Sequence, residues 1–240
     1  MVSKHAVTSL LLALVANASS ADVDAGYDVT KVANVMRDKA GQSWEWGTAA
    51  QALLELYDNE LSIYGSNPFP GGKIPKADPK ITALAYIKPH INTTADTLVG
   101  ANGAAGDPAS LGVSAILLGT SDKTYSDAAD RQANHLLKDV PRYSNGAISH
   151  RESHAELWAD NMSMSFPFLA YQAVAKNDTS LMATTVKQCG LQRDVLKINK
   201  YLNWRHIIGD DPNSKDEGLW STGNGWAGYG MVRVLHTLQG

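Results

Sequence analysis

The chain has 240 residues, of which 44% are hydrophobic and 19% are charged, and its formal net charge at pH 7 is −3. This length and composition allow one sizeable buried core and argue against an intrinsically disordered protein. The acidic balance argues against a nucleic-acid-binding surface, which needs clustered Lys and Arg. Cys189 is the single cysteine, so the chain can form no internal disulfide and its stability must come from core packing.

The N-terminus has the pattern of a secretory signal peptide. A short basic region precedes the apolar residues 6–16, and small residues follow, so cleavage is expected after Ala18 or Ala21. Cleavage removes one lysine and leaves 20 basic and 24 acidic side chains, a net charge of −4. The apolar stretch is too short to span a bilayer, and no later one is long enough. We therefore expect a signal peptide at 1–21 and an exported, soluble domain at 22–240.

Apolar side chains recur at helical spacing through most of the remaining chain. Asp28, Asp78, Asp107 and Asp178 each stand where a helix start is expected, and Pro follows Asp78 and Asp107 at the first helical position. We predict helices near residues 29–40, 48–57, 79–88, 108–118, 125–140, 156–176, 181–202 and 226–238. No alternating strand pattern is evident. The sequence thus predicts an all-α domain of about eight helices in helical hairpins, arranged as a bundle, a solenoid or a toroid.

One carboxylate, Asp160, stands in an otherwise apolar and aromatic run that continues to a kink at Pro167. Asp160 precedes Met164 by one helical turn and Pro167 by about two, so we expect its side chain to share their buried face. Burial raises the pKa of a carboxyl group, and a raised pKa suits a proton donor working near neutral or mildly acid pH. The alternative is a structural aspartate that caps a helix start or binds buried backbone amides.

Two other segments offer candidate site residues. Asp107 follows a Gly-rich loop and either caps a helix or faces Asp160 as a second carboxylate, in which case the two pKa values are pushed apart. Trp44 lies in the segment 43–47, where its indole either stacks on a sugar ring or anchors the core.

The loop before the central segment carries Arg142, His150, Arg151 and His154. These side chains either bind a substrate carboxylate, which Arg does with two hydrogen bonds, or form a solvated charged loop. His150 and His154 have the spacing seen in metal-binding helices. No third ligand stands in a recognisable frame, so we predict no metal and no cofactor.

A further candidate cluster comprises Trp204-Arg205-His206 and the segment 218–226, in which two indoles bracket a Gly-Asn-Gly sequence. Gly223-Asn224-Gly225 is interpreted as a turn that exposes backbone amides at a helix start, with Trp220 and Trp226 as walls of a pocket. Ligand binding explains this arrangement better than packing alone.

The motifs Trp158-Ala-Asp160, Met164-Ser-Phe-Pro-Phe168 and Trp220-Ser-Thr-Gly-Asn-Gly-Trp226 together resemble those of the unsaturated rhamnogalacturonyl hydrolases of glycoside hydrolase family 105. The unsaturated glucuronyl hydrolases of family 88 are a similar sister group. The resemblance extends from Trp44 to Leu238. It implies an (α/α)6 barrel of six helical hairpins, a six-hairpin toroid, with the active site formed by loops at its mouth.

The resemblance also implies an activity and roles for residues. Such enzymes release a 4,5-unsaturated uronic acid from the non-reducing end of pectin-derived oligosaccharides. In their mechanism an aspartate protonates the vinyl ether and activates the water that adds at C5. By matching motifs, Asp160 is the acid/base and Asp107 the second catalytic aspartate. The substrate-binding residues are then Trp44, His150, Trp220, Asn224 and Trp226. The expected partner is the unsaturated oligosaccharide, with neither nucleic acid nor membrane, and no oligomeric state is predicted.

The sequence departs from the family pattern in two respects. Thr222 stands where many relatives carry Arg before the Gly-Asn-Gly. The family has twelve helices, whereas about eight are predicted here, so we expect an incomplete barrel truncated at its C-terminus. The alternative to an active hydrolase is therefore a noncatalytic sugar-binding fragment of the same family.

Overall fold

The structure is a computed structural model that describes residues 24–200, 202–211 and 215–240. The predicted signal peptide at 1–21 lies outside the described residues. The chain divides into two units, Met1–Met36 and Arg37–Gly240.

The described residues form ten α-helices, two of which have only four residues, and two short strands. The helices are α1 Val29–Lys39, α2 Ser43–Tyr57, α3 Thr82–Ile87, α4 Gly106–Ala109, α5 Gly112–Gly119, α6 Lys123–Lys138, α7 Asn161–Met164, α8 Phe166–Lys176, α9 Thr179–Leu196 and α10 Ser221–Gln239. The strands are β1 Glu156–Trp158 and β2 Ile207–Gly209. The predicted all-α class is confirmed, and no helix in the described part of the chain is long and apolar enough to cross a membrane.

Helices of the second unit pack as successive pairs around a shared apolar core. α3 packs on α2, α6 on α5 and α9 on α8, while α10 packs on both α7 and α8. Leu53, Leu84, Leu117, Leu136 and Phe168 are all almost completely buried, one from each of α2, α3, α5, α6 and α8. The helical periodicity of the sequence thus corresponds to the buried faces of these pairs.

Local hydrogen bonds explain where several helices begin. Asp178 accepts a hydrogen bond from Leu181 N at 2.9 Å, so the predicted N-cap of α9 is confirmed. Asp78 instead accepts from Lys80 N at 2.9 Å in a turn. The helix predicted to follow Asp78 therefore begins only at Thr82. The helix predicted to reach residue 202 ends at Leu196.

The prediction of one helix over 156–176 was wrong. Its first three residues form β1, which pairs antiparallel with β2 and aligns Glu156 with Gly209 and Trp158 with Ile207. The remainder divides into α7 and α8, and the break falls at Ser165, immediately before the Phe166-Pro167 start of α8. The strand was not predicted because its partner lies far away in the sequence.

Candidate active site

The β1–β2 ladder positions the residues that follow β1 beside those that precede β2. Beyond the last strand pair, Ala159 N donates to His206 O at 2.9 Å. Asp160 and His206 therefore face each other at the end of the ladder, with His206 Nε2 at 3.6 Å from Asp160 Oδ2. The two residues come from distant segments that the ladder joins.

Asp160 precedes α7 and does not lie inside a helix as predicted. It occupies the N-cap position with helical torsion angles, φ −56° and ψ −39°, and its side chain makes no capping hydrogen bond. Its Oδ2 atom is buried without a hydrogen-bond partner. The alternative of a capping aspartate therefore does not fit this geometry.

Burial is the main cause of a raised pKa at Asp160. The nearby His150 and His206 and a backbone hydrogen bond oppose this effect, whereas the Asp107 carboxylate adds to it. A carboxylic acid in these surroundings keeps its proton at a higher pH than a solvated one. Asp160 is thus equipped to donate a proton.

His150 and Asp107 form a second imidazole–carboxylate pair. His150 is 2% exposed, and its Nε2 lies 3.4 Å from Asp107 Oδ1. The imidazole is held through its backbone, because Ala105 N donates to His150 O at 2.7 Å and His150 N donates to Glu156 O at 2.7 Å. Asp107 is not the N-cap predicted from the sequence, since α4 begins at Gly106.

Gly106 is required by the close approach of His150 to α4. A Cβ at this position would lie 2.5 Å from His150 Nδ1 and 2.5 Å from Asn161 Oδ1. Asn161 is fully buried, and its Oδ1 accepts a hydrogen bond from Ser165 Oγ at 2.6 Å, so it has little freedom to move. The last glycine of the Gly-rich loop thus serves packing at the site.

His206 was not assigned a role from the sequence. Its Nδ1 lies 2.9 Å from Asp216 Oδ2, and this hydrogen bond is the chief reason why the pKa of Asp216 is lowered. A carboxylate on one ring nitrogen fixes the tautomer and aims the other nitrogen, here at Asp160. The available signal was its place in Trp204-Arg205-His206, although no spacing links that segment to Asp160 or Asp216.

Two indoles complete an aromatic cluster, defined here as His150, Trp158, His206 and Trp220. Trp158 stacks on His150 with centroids 4.7 Å apart and meets His206 edge-on at 5.5 Å. The ring centroids of Trp220 and His206 are 4.6 Å apart, and Trp220 is 39% exposed. Trp158 was recognised in a motif but not predicted as a site residue.

The Gly-Asn-Gly sequence is helical, so its prediction as a turn was wrong. α10 begins at Ser221, and a Cβ at Gly223 would lie 2.9 Å from Cε3 of Trp220, which explains this glycine by close packing. The Asn224 amide accepts from Trp204 N at 2.8 Å and donates to Trp204 O at 3.1 Å and Trp220 O at 3.0 Å. Asn224 therefore holds the backbone that presents Trp220.

The remaining predicted site residues lie outside the aromatic cluster. Trp226 lines a cavity of about 180 Å³ together with Tyr229 and Arg233 of the same helix and residues of α2. Its carbonyl accepts a hydrogen bond from Ser163 Oγ at 2.8 Å, which ties it to α7. Trp44 lies in the first turn of α2 with a partly exposed indole, and its ring stacks on no described member of the cluster.

No group of three His, Cys, Asp or Glu side chains within residues 24–200, 202–211 and 215–240 is arranged to hold a metal ion. The site contains two imidazole–carboxylate pairs, Asp160–His206 and Asp107–His150. The Trp158 indole contacts both imidazoles, and Asp216 binds the other nitrogen of His206. Such a site can transfer a proton to a bound molecule.

The paired helices form an incomplete six-hairpin toroid. Residues 80–240 match Glycosyl Hydrolase Family 88, and the chain belongs to that family. The resemblance stated from the motifs is thereby confirmed.

One similar solved structure is a family 105 glycoside hydrolase from C. acetobutylicum ATCC 824, with a TM-score of 0.61 and 14% sequence identity. The alignment covers 86% of this chain and 56% of that chain. This likeness supports the predicted fold, an incomplete all-α toroid. A comparison with curated proteins finds no match.

Proposed function

We propose that the chain is a glycoside hydrolase that releases a 4,5-unsaturated uronic acid from the non-reducing end of pectin-derived, rhamnogalacturonan oligosaccharides. The observation that carries this proposal is the Asp160 carboxyl group. It has a raised pKa, its Oδ2 atom is buried without a hydrogen-bond partner, and it lies beside an imidazole that a second carboxylate orients. Family membership supports a glycosidase of the unsaturated uronic acid type.

In the first step, protonated Asp160 donates its proton to C4 of the C4=C5 vinyl ether. The double-bond electrons form the new C4–H bond, and the positive charge left at C5 is shared with the ring oxygen. The burial that raises the pKa of Asp160 keeps the proton available for this transfer. His206 Nε2 faces the same carboxyl group at 3.6 Å.

In the second step, the Asp160 carboxylate takes a proton from water as the water oxygen bonds to C5. Asp160 thus recovers the proton that it gave to C4. The hemiketal opens when the bond between C5 and the ring oxygen breaks, which leaves a ketone at C5 and a hemiacetal at C1. The hemiacetal then releases the remaining oligosaccharide and leaves an aldehyde at C1. The net reaction consumes one water, and no carboxylate attacks the anomeric carbon as in ordinary glycosidases.

The aromatic cluster provides surfaces for the sugar. The exposed face of Trp220 offers an apolar plane to a pyranose ring, and Asn224 holds that indole through the Trp220 carbonyl. Asp107, held against His150, faces the same site and reinforces the raised pKa of Asp160. We also propose that residues 1–21 direct export, which N-terminal sequencing of the exported protein would test.

The decisive experiment follows the ultraviolet absorbance of the double bond in an unsaturated rhamnogalacturonan disaccharide. The wild-type chain should remove this absorbance and, in isotopically labelled water, introduce one labelled oxygen at C5. Asp160→Asn should keep its fold, by circular dichroism, and remove no absorbance. Turnover by the variant at the wild-type rate would refute the assigned acid. Quenching of Trp fluorescence by the sugar without turnover would favour a noncatalytic sugar-binding fragment instead.

The His206–Asp216 pair gives a second test of the same mechanism. Asp216→Asn removes the charge that orients the imidazole, so kcat should fall by about 10- to 100-fold. Glu217→Gln, which removes an exposed carboxylate that pairs with Arg205, should leave kcat unchanged. Equal effects of the two substitutions would show that His206 needs no orienting partner.

A further inference from the structure

Glu156 is a buried carboxylate to which the proposed reaction assigns no step. It is 5% exposed, and each of its oxygens has a partner: Oε1 lies 2.8 Å from His154 Nε2, and Oε2 accepts a hydrogen bond from Trp158 Nε1 at 2.8 Å. A buried carboxylate is costly without such partners, so this arrangement is specific rather than incidental.

The hydrogen bond from Trp158 fixes the rotation of its ring. An indole N–H is a donor only, and the Glu156 carboxylate is its acceptor. The ring held in this way contacts both imidazoles, because it stacks on His150 at 4.7 Å and meets His206 edge-on at 5.5 Å. A rotation of the indole would displace both imidazoles.

Glu156 also holds His150 through the main chain. Its carbonyl accepts a hydrogen bond from His150 N at 2.7 Å, and its amide donates to Ser149 Oγ at 3.0 Å. The same residue thus constrains the His150 backbone directly and the His150 ring through the stacked indole.

We propose that Glu156 is a positioning residue that fixes the Trp158 indole and thereby aligns His150 with Asp107 and His206 with Asp160. The expected effect of Glu156 on kcat rests on the proposed hydrolase function. The fixed orientation of the Trp158 indole does not depend on that function.

The test compares Glu156→Met, which removes the acceptor, with Glu156→Gln, which keeps an amide oxygen for the indole N–H. Glu156→Met should lower kcat by about 10- to 100-fold with a smaller change in KM, because the groups at the reacting atoms are misaligned. The Trp158 Nε1 proton resonance should lose its hydrogen-bonded shift. Glu156→Gln should retain much of the wild-type kcat and of the hydrogen-bonded shift of the Trp158 Nε1 proton. Glu152→Met is the matched control, since Glu152 pairs with His135 at 2.9 Å in the same way, and it should change neither readout.

A Trp158→Phe background separates positioning from general destabilisation. Phenylalanine can stack on His150 but has no N–H, so Glu156→Met should cause no further loss of kcat there. An equal loss in both backgrounds, or a lower melting temperature with unchanged kcat and an unchanged indole resonance, would overturn the proposal. If Glu156→Met fails to fold, Trp158→Phe alone provides the test, because it removes the same hydrogen bond from the indole side and should lower kcat; an unchanged kcat in that variant would overturn the proposal. A wild-type chain without turnover would refute the hydrolase function and leave the resonance test intact.

Discussion

The close crossing of α10 and α7 allows a sharp test of how the candidate active site is supported. Gly230 of α10 lies against the α7 backbone, and a Cβ there would lie 2.7 Å from Ser163 N and still closer to the Met162 carbonyl. Backbone atoms cannot rotate away as a side chain can, so Gly230→Ala must push the helices apart. Gly228, two residues earlier in α10, provides the matched control, because a Cβ added there would meet nothing within 4 Å.

The two substitutions should have opposite signs. Overpacking costs about 1–3 kcal/mol, and a collision with backbone atoms is expected at the upper end, about 3 kcal/mol; the better helix propensity of Ala offsets up to about 1 kcal/mol. A net loss of about 2 kcal/mol corresponds to a melting temperature lower by about 4–8 °C for a chain of this size. Gly228→Ala gains only the better helix propensity of Ala, about 0.5–1 kcal/mol, so its melting temperature should be about 1–4 °C higher than that of wild type.

Thermal unfolding followed by far-ultraviolet circular dichroism measures both shifts. Hydrolysis of the unsaturated disaccharide should also fall in Gly230→Ala, because α7 begins directly after Asp160 and a displacement of about 1 Å can cost 100-fold in rate. Melting temperatures that rise together in the two variants would refute the assigned contact between α10 and α7.

Three further outcomes are expected. Burial raises the pKa of Asp160 above its ordinary value of 3.8, so ionisation of this group destabilises the fold. The stability of Asp160→Asn relative to wild type, measured from denaturation midpoints, should therefore increase as the pH rises above 3.8 and should show no increase below that pH. Trp220→Ala should raise KM with little change in melting temperature. Leu219 is also exposed and is the adjacent residue, so Leu219→Ala should change neither KM nor the melting temperature. Asn224→Ala should cost about 2 kcal/mol in chemical denaturation, because the buried Trp204 loses partners for both its N–H and its carbonyl; a stability equal to wild type would contradict that role.

Local signals in the sequence predicted much of the helical architecture. The Asp178 N-cap is formed as expected, and the apolar stripes correspond to buried helix faces such as that of Phe168. The burial of Asp160 was also expected, although the helix assigned to it was not found. These features depend on residues within a few turns of each other, which is the range over which helical periodicity carries information.

Features that depend on distant partners were not predictable. Glu156–Trp158 reads equally well as strand or helix, and only its pairing with Ile207–Gly209 decides the outcome. No local pattern marks Gly230 as the residue that meets the α7 backbone, because that contact exists only once the helices cross. His206 acquires its role only when the ladder places it beside Asp160.

The β1–β2 ladder has a consequence for the order in which the chain folds. Three residue pairs are too few to be stable alone, and the loop between them, which contains α7, α8 and α9, must be closed before they meet. Asp160 should therefore acquire its buried surroundings late, after these helices have docked. During synthesis, Asp160 emerges well before His206 and remains an ordinary solvated acid until its partner arrives. The Asp160–His206 pair is then formed last, and amide exchange at Ala159 would report that final event.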